Sequence, residues 1–158
     1  MNFFNFYLTE EYKLEDFGFK KVSNKNLRIG TVYRTPQAHK EYKGKFVYGK
    51  GLYTSLSKEE AKELTIDPHS DKIVHYDEKI NGPIETYSVL YNMPLVEINI
   101  DEGNDLDKWN KLIKTIGLDN INEFFISNGV AGLVVRSEDF NYGGNQLVVY
   151  NTKHIRRN

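Results

Sequence analysis

The sequence of 158 residues predicts an α+β fold. Several segments with alternating apolar residues follow one another without an intervening helical segment, so neighbouring strands can pair without crossover helices. Helical patterns are concentrated in an insert between two β-rich halves. No Gly-x-Gly-x-x-Gly motif follows a strand, so a Rossmann dinucleotide site is not supported. These observations favour a mixed sheet with flanking helices over a wound parallel sheet.

The N-terminal part of the chain contains two short predicted elements. Residues 9–17 begin with a threonine cap and an acidic first turn, which predicts a short helix. That helix belongs to an N-terminal helical extension that we assign to residues 1–26. Residues 27–34 alternate as a strand does, and Pro36 ends it.

A capping box gives the clearest helix start in the sequence. Residues 37–51 are polar and predict a mobile loop, which leads into a strand at residues 52–55. Ser57 and Glu60 have the spacing of a capping box, in which each side chain bonds the other residue's backbone N–H. The sequence therefore predicts a helix from residue 58 to about residue 64.

The rest of the chain alternates between strand and helix patterns. Trp109 and Leu112 lie on the apolar face of an amphipathic helix, and Gly129 closes the helix that follows. The predicted strands are residues 71–76, 84–91, 94–100, 130–136 and 146–151, and the predicted helices are residues 105–116 and 121–127.

Composition removes several kinds of function. The formal net charge is −1 with both signs interspersed, so no basic surface for nucleic acid or membrane is indicated. The chain has no cysteine, which removes disulfides, thiolate metal sites and cysteine nucleophiles. Its four histidines lack helical metal-ligand spacing, so no metal site is expected. Without a signal-like or membrane-spanning segment, a single cytoplasmic domain over residues 1–158 is the expectation.

Four sequence blocks carry a resemblance to a known family. In chain order they are Val32–Thr35, Gly49–Ser55, Gly132–Ser137 and Gly143–Tyr150. In that order they resemble the ADP-ribosyltransferase superfamily, whose small split-sheet domains bind NAD⁺ and break its nicotinamide–ribose bond. The resemblance implies an ADP-ribosyltransferase-like split β-sheet with flanking helices, and NAD⁺ as substrate.

The resemblance also implies roles for individual residues. Arg34 would hold a phosphate or ribose of NAD⁺, since a guanidinium forks onto phosphate oxygens and keeps its charge. Tyr53 would stack on nicotinamide, and Ser55, two residues along the same strand face, would order the site. Gly51 would let the ligand approach the backbone. The implied cofactor-binding positions are Arg34, Thr35, Gly51, Leu52 and Tyr53.

The sequence departs from the family pattern at the position of the catalytic glutamate. Breaking the nicotinamide–ribose bond builds positive charge on the ribose, which a carboxylate stabilises. The family places a glutamate at the start of the last major strand, where this chain has Gln146. An amide keeps the hydrogen bond to a ribose hydroxyl and loses the charge.

A second branch of the superfamily offers another catalytic set. The segment from Gly132 through Ser137 to the glycine pair is similar to RES-domain toxins, which are small NAD⁺-degrading proteins named for an Arg, a Glu and a Ser. The implied members are Arg34 and Ser137, with Glu63 as the nearest glutamate on the helix after Tyr53. Glu63 stands one residue out of register with that family's spacing.

Two classes of function follow. One is an NAD⁺-consuming effector, either a mono-ADP-ribosyltransferase that modifies a protein target or an NAD⁺ glycohydrolase-type toxin. By analogy, it would act in toxin–antitoxin or phage–host conflict and have an antitoxin partner. The other is a catalytically dead member of the fold that binds and inhibits a host protein, motivated by Gln146. The loop at residues 37–50 would close over the cofactor or meet the target.

Overall fold

Eight strands form one sheet in the computed structural model, which describes residues 12–36, 47–63, 75–138 and 144–158. Across the sheet their order is β1-β5-β6-β7-β3-β2-β4-β8; β5 and β6 pair in parallel and the other neighbours antiparallel. In chain order the strands are β1 (Val22–Ser23), β2 (Thr31–Arg34), β3 (Leu52–Ser55), β4 (Glu85–Val89), β5 (Pro94–Asn99), β6 (Gly132–Arg136), β7 (Gln146–Val149) and β8 (Ile155–Arg157).

Helices flank this sheet, which confirms the α+β class. The longest helix buries Trp109 and Leu112, as its apolar spacing predicts, and Ile116 as well, whereas Leu106 is 39% exposed. The α-helices of the described residues are α1 (Asn24–Leu27), α2 (Lys58–Glu63), α3 (Glu78–Asn81), α4 (Gly103–Ile116) and α5 (Ile121–Ser127), and 3₁₀ turns lie at Leu14–Phe17, Leu118–Asn120 and Thr152–His154.

Apolar layers cover both faces of the central strands. Every residue of β7 is buried, as are the first four of β6, because alternate side chains point into different layers. The first layer is aromatic and packs under α4 and α5; its members include Phe19, Trp109, Phe124, Phe125, Val135, Val148 and Tyr150. The second layer is smaller and includes Val32, Tyr87, Met93, Leu95, Val134, Leu147 and Val149.

The sheet narrows where β2 meets β3. These two strands share one paired position, Tyr33 with Ser55, whereas β3 pairs with β7 at four positions and β2 with β4 at four. A five-strand part, β1-β5-β6-β7-β3, therefore joins a three-strand part, β2-β4-β8, through a single residue pair. The resemblance implies a split β-sheet, and this single-pair junction has the fewest paired positions between neighbouring strands of the observed sheet.

The structure corrects two predicted elements, and a third lies mostly outside the described residues. Residues 14–17 form a 3₁₀ turn in place of an α-helix, and the predicted helical extension contains β1, which pairs with β5. The conformation of residues 22 and 23 is determined by hydrogen bonds to β5, and the local sequence pattern contains no sign of that pairing. Of the predicted strand at residues 71–76, residues 71–74 lie outside the described part and residues 75 and 76 are irregular.

The basic C-terminal segment is part of the sheet. Residues 155–157 form β8 along β4. The Arg157 guanidinium forms an ion pair with the Glu85 carboxylate at 2.9 Å, which helps to hold this segment although the Arg157 side chain stays largely exposed. No helix in the described ranges has the length and apolar character that a membrane crossing requires.

Candidate functional site

A row of side chains crosses the central strands of the sheet at one end of those strands, which we call the edge of the sheet in this section. Gln146 at the start of β7 pairs with Ser55 at the end of β3 on one side and with Val135 on the other. Ser55 pairs in turn with Tyr33. Because directly paired residues of antiparallel strands share a face, these side chains lie on the same face. Ser137 continues the alternation of β6 two residues beyond Val135 and belongs to that face too.

This row is unusual because its polar members are buried. Ser55, Ser137 and Gln146 are 3%, 2% and 6% exposed. Buried hydroxyl and amide groups carry a desolvation cost unless they have hydrogen-bond partners. Ser55 and Gln146 come from strands that are adjacent in the sheet and 91 residues apart in the chain, so folding alone brings them together.

Asn145 links the elements around this row. Its carbonyl accepts from the backbone N–H of Leu56 at 3.1 Å, which joins the start of β7 to the end of β3. Its side-chain oxygen accepts from the backbone N–H of Ser137 at 3.3 Å. Its own backbone N–H donates to a carboxylate oxygen of Glu60. One residue therefore fixes β3, α2 and the end of β6 relative to Gln146.

Glu60 places a carboxylate at the start of β7, against Gly144 and Asn145. Its first carboxylate oxygen accepts from the Ser57 hydroxyl at 3.0 Å, and its backbone N–H donates to that hydroxyl at 3.1 Å, half of the predicted capping box. Its second oxygen accepts from Asn145, and it also lies against Gly144, where a Cβ would collide with it. We call Ser55, Glu60, Ser137, Asn145 and Gln146 the edge cluster.

A second carboxylate holds the other end of the edge cluster. The Ser137 hydroxyl donates to Asp101 at 3.0 Å, and the backbone N–H of Glu138 donates to the same carboxylate at 2.7 Å. Asp101 follows β5, whose end lies at the same edge as the end of β6 because the two strands are parallel. The cluster thus has carboxylates on both sides.

The structure places Glu63 away from this network. Glu63 is exposed at the last residue of α2, one turn or about 4.5 Å further along the helix axis than Glu60. The sequence predicts only a capping role for Glu60, because the capping-box spacing from Ser57 is sufficient to explain a glutamate at this position. The additional signal is Gly144, because its missing Cβ leaves room for the Glu60 carboxylate and its φ of +61° favours glycine.

Arg34 lies on the opposite face of the sheet from the edge cluster. It follows Tyr33, which shares a face with Ser55, and side chains alternate along a strand. Its Nε lies 3.4 Å from a carboxylate oxygen of Glu85, which also binds Arg157. Burial lowers the pKa of Arg34, and the Glu85 carboxylate offsets part of that effect. The predicted catalytic set is therefore divided between two faces, with Ser55, Ser137 and Gln146 together and Arg34 apart.

Tyr53 braces the turn that precedes β3. Its hydroxyl accepts from the backbone N–H of Tyr48 at 2.9 Å and donates to the carbonyl of Gly49 at 2.7 Å. Burial raises the pKa of Tyr53 well above the usual value for tyrosine. The ring packs against the aromatic layer, on the same face as the edge cluster.

The other predicted cofactor positions have different surroundings. Gly51 lies so close to β7 that a Cβ would come within 2.7 Å of the Val149 carbonyl, so the fold itself requires this glycine. Leu52 packs into the second apolar layer. Thr35 is fully buried, and its hydroxyl has no hydrogen-bond partner among the described residues.

The ammonium group of Lys58 lies on the edge-cluster side of the sheet. The Lys58 ammonium lies 5.9 Å from the centre of the Tyr33 ring, at the first residue of α2. Tyr33 and Ser55 form the pair that joins the two parts of the sheet. A positive charge therefore stands near the junction and the edge cluster.

Comparisons with known proteins give one structural likeness. No protein-family model matches the chain, and no curated protein matches it. Among solved structures, the chain is similar to the MbcT–MbcA toxin–antitoxin complex of M. tuberculosis, with a TM-score of 0.48 and 14% sequence identity. That match covers 90% of this chain and 80% of the other chain. Likeness at this level shows neither an activity nor a partner for this chain.

Proposed function

We propose that this protein consumes NAD⁺ by cleaving the nicotinamide–ribose bond, as a protein mono-ADP-ribosyltransferase or as an NAD⁺ glycohydrolase. The observation that carries the proposal is the edge cluster, which combines a buried amide, two buried hydroxyls and the Glu60 carboxylate. The order of sequence blocks that resembles ADP-ribosyltransferases supplies the substrate. The carboxylate that the family pattern places where this chain has Gln146 would be supplied here by Glu60, from the neighbouring helix.

The chemistry makes use of each group in the cluster. When the C1′–N bond of NAD⁺ breaks, its electron pair moves to the nicotinamide nitrogen and positive charge develops on the ribose. The Glu60 carboxylate stabilises that charge, and a fixed charge in a water-poor site does so more strongly than it would in water. Gln146 binds a ribose hydroxyl. Water or a target side chain then bonds to C1′ and releases one proton.

The phosphates of NAD⁺ need a cation, and we compare Lys58 and Arg34 among the described residues. Lys58 stands on the side of the edge cluster, and Arg34 stands on the other face with Glu85. We assign the phosphate contact to Lys58 because its charge has no carboxylate partner among the described residues. Lys58→Ala should raise the KM for NAD⁺ more than Arg34→Ala does. A larger effect at Arg34 would restore the role that the sequence resemblance implies.

The direct test incubates purified protein with NAD⁺ labelled in its adenylate part, alone and with a cell lysate. Free nicotinamide and protein-bound label are both measured. Label on a discrete protein with nicotinamide release establishes transfer, and nicotinamide release without protein label establishes hydrolysis. Folded protein that gives neither signal would refute both activities.

A binding protein without catalysis is the second candidate function. The observations that favour it are the amide at Gln146 and the hydrogen bonds that already engage both oxygens of Glu60. Gln146→Glu separates the two cases. In an enzyme this variant keeps or raises nicotinamide release, whereas a binding scaffold releases none with either residue.

The biological setting belongs to the same proposal. We propose a cytoplasmic toxin that acts in conflict between a cell and a phage or another genetic element, with a protein antitoxin as partner. Induction of the wild-type gene should lower cellular NAD⁺ and stop growth, whereas Gln146→Ala should do neither at equal protein level. Growth arrest without loss of NAD⁺ would exclude NAD⁺ hydrolysis as the toxic activity, and growth arrest with neither NAD⁺ loss nor a labelled target protein would exclude both activities.

A further inference from the structure

The strand β1 stops after two residues and leaves a groove beside β5. Val22 and Ser23 pair with Leu95 and Pro94, and the chain before them separates from the sheet. The resulting cavity has a volume of about 490 Å³ and is bounded by residues 18–23 on one side and by β5 and α4 on the other. That volume falls in the range of pockets that bind ligands of modest size.

The aromatic core explains why the chain separates here. Phe19 is buried, with its ring centre 6.5 Å from that of Trp109 and 6.3 Å from that of Phe125. Gly18 has a left-handed φ of +79° and lies against the aliphatic stem of Lys108. These contacts hold the segment away from β5, so the groove is a built feature of the fold.

One position on this edge of β5 has open backbone groups. The backbone N–H of Asn24 donates to the Met93 carbonyl at 2.9 Å, so the backbone groups of Met93 point toward β1. Because backbone groups alternate in direction along a strand, those of the odd-numbered residues of β5 also point toward β1. Asn99 is occupied, because its N–H donates to Asp105 at 2.8 Å and its carbonyl accepts from Glu102 at 3.1 Å. No hydrogen bond within the described chain joins the backbone of Glu97 to a partner on this side.

The side chains around the groove carry a positive surplus. Lys20, Lys21 and Lys108 line it together with Glu97 and Asp105. Both carboxylates have partners, since Glu97 binds Arg136 at 3.0 Å and Asp105 lies 3.8 Å from Lys108. Lys20 and Lys21 form no ion pair with any described residue. An occupant that complements this surface carries negative charge.

We infer that this groove docks an extended acidic segment of a partner protein, which adds to the sheet by pairing with Glu97. Strand addition to an open sheet edge is a common mode of peptide recognition, in which backbone bonds give affinity and side chains give specificity. The occupant's backbone bonds the open N–H and carbonyl of Glu97, and its carboxylates meet Lys20 and Lys21. This inference is independent of the proposed enzymatic function.

The test uses a fluorescein-labelled peptide of alternating valine and glutamate, with binding followed by fluorescence anisotropy. A peptide with lysine in place of glutamate is the first control. The double variant Lys20→Glu/Lys21→Glu should weaken binding by about tenfold or more, equivalent to about 1.4 kcal/mol. Lys153→Glu, on the exposed 3₁₀ turn near the C-terminus, should leave binding unchanged.

Amide hydrogen exchange then separates strand addition from simple charge attraction. The full-length protein is compared by NMR with and without the acidic peptide, and the Glu97 amide should become protected. Absence of binding, equal binding of the lysine peptide, equal binding by the double variant, or an unprotected Glu97 amide would each overturn the inference.

Discussion

At the scale of single residues, hydroxyl and carboxylate side chains fix backbone that apolar packing leaves unpaired. Tyr53 holds both the Tyr48 N–H and the Gly49 carbonyl, and Glu60 holds the Asn145 N–H. Both side chains come from residues 52–63, which contain β3 and α2. Each connects that segment to a part of the chain whose position its own sequence does not specify.

Tyr53→Phe should destabilise the protein because it leaves the half-buried Tyr48 N–H without its partner. We expect the free energy of unfolding to fall by about 1–3 kcal/mol. Urea denaturation followed by circular dichroism measures this change. Tyr91→Phe is the matched control, since Tyr91 is 72% exposed, and it should change the stability very little. Equal stabilities for the two variants would show that the brace contributes nothing.

Gly144→Ala should disturb the edge cluster. The residue has φ +61°, where a side chain costs roughly 1–2 kcal/mol, and the new Cβ would collide with the Glu60 carboxylate. We expect lower stability by urea denaturation and a loss of NAD⁺ turnover. Gly103→Ala, where no atom lies near the Cβ position, should preserve both. A fully active and stable Gly144→Ala protein would contradict the described geometry.

The sequence predicted part of the candidate site at this scale. Ser55, Ser137 and Gln146 were identified by their order in the chain, and the structure brings them together. Glu60 was not identified because its capping-box spacing explains it locally, while its bond to Asn145 spans 85 residues. Contacts between distant parts of the chain leave no local periodicity, so the sequence does not indicate the linking role of Asn145 either.

At the scale of elements, periodicity predicted the long segments well. Helices α4 and α5 and strands β3 to β7 occur close to their predicted positions, because each has enough apolar residues to show its period. The short elements were mispredicted. Strands β1 and β8 have two and three residues, so their pairing partners define them and their own sequences do not.

The C-terminal strand should contribute measurably to stability. Deletion of residues 155–158 removes the pairing of β8 with β4 and the Arg157–Glu85 ion pair. We expect the free energy of unfolding to fall by about 1–3 kcal/mol in urea denaturation. Arg156→Ala is the control, since Arg156 is exposed and forms no ion pair within the described ranges. An unchanged denaturation midpoint after deletion would mean that β8 does not contribute to stability.

At the scale of the whole molecule, buried tyrosines of the aromatic layer should make the free energy of unfolding fall as the pH becomes alkaline. Burial raises the pKa of Tyr48 to about 12 and raises the pKa values of Tyr53 and Tyr150 as well. The unfolded chain loses these protons near pH 10, whereas the folded chain keeps them, so unfolding releases protons above that pH. Stability from these groups is therefore complete below about pH 10 and is lost as pH rises toward 12.

This dependence is measured by urea denaturation at a series of pH values. The contribution of these tyrosines to the free energy of unfolding should stay constant up to about pH 9 and should fall above about pH 10. Tyr48→Phe should make the fall less steep, and Tyr91→Phe should leave its slope as it is. A wild-type slope that Tyr48→Phe does not change would exclude Tyr48 as a source.

The central claim is that Glu60 supplies the carboxylate for cleavage of NAD⁺ beside Gln146. The most direct measurement is the rate of nicotinamide release by the wild-type protein, Glu60→Gln and Glu63→Gln, with folding of each checked by circular dichroism. Glu60→Gln retains an acceptor for Asn145 and removes the charge, so the rate should fall roughly a hundredfold. Glu63→Gln, on the same helix and exposed, should match the wild type. Wild-type turnover in Glu60→Gln, or its loss only in Glu63→Gln, would contradict the account.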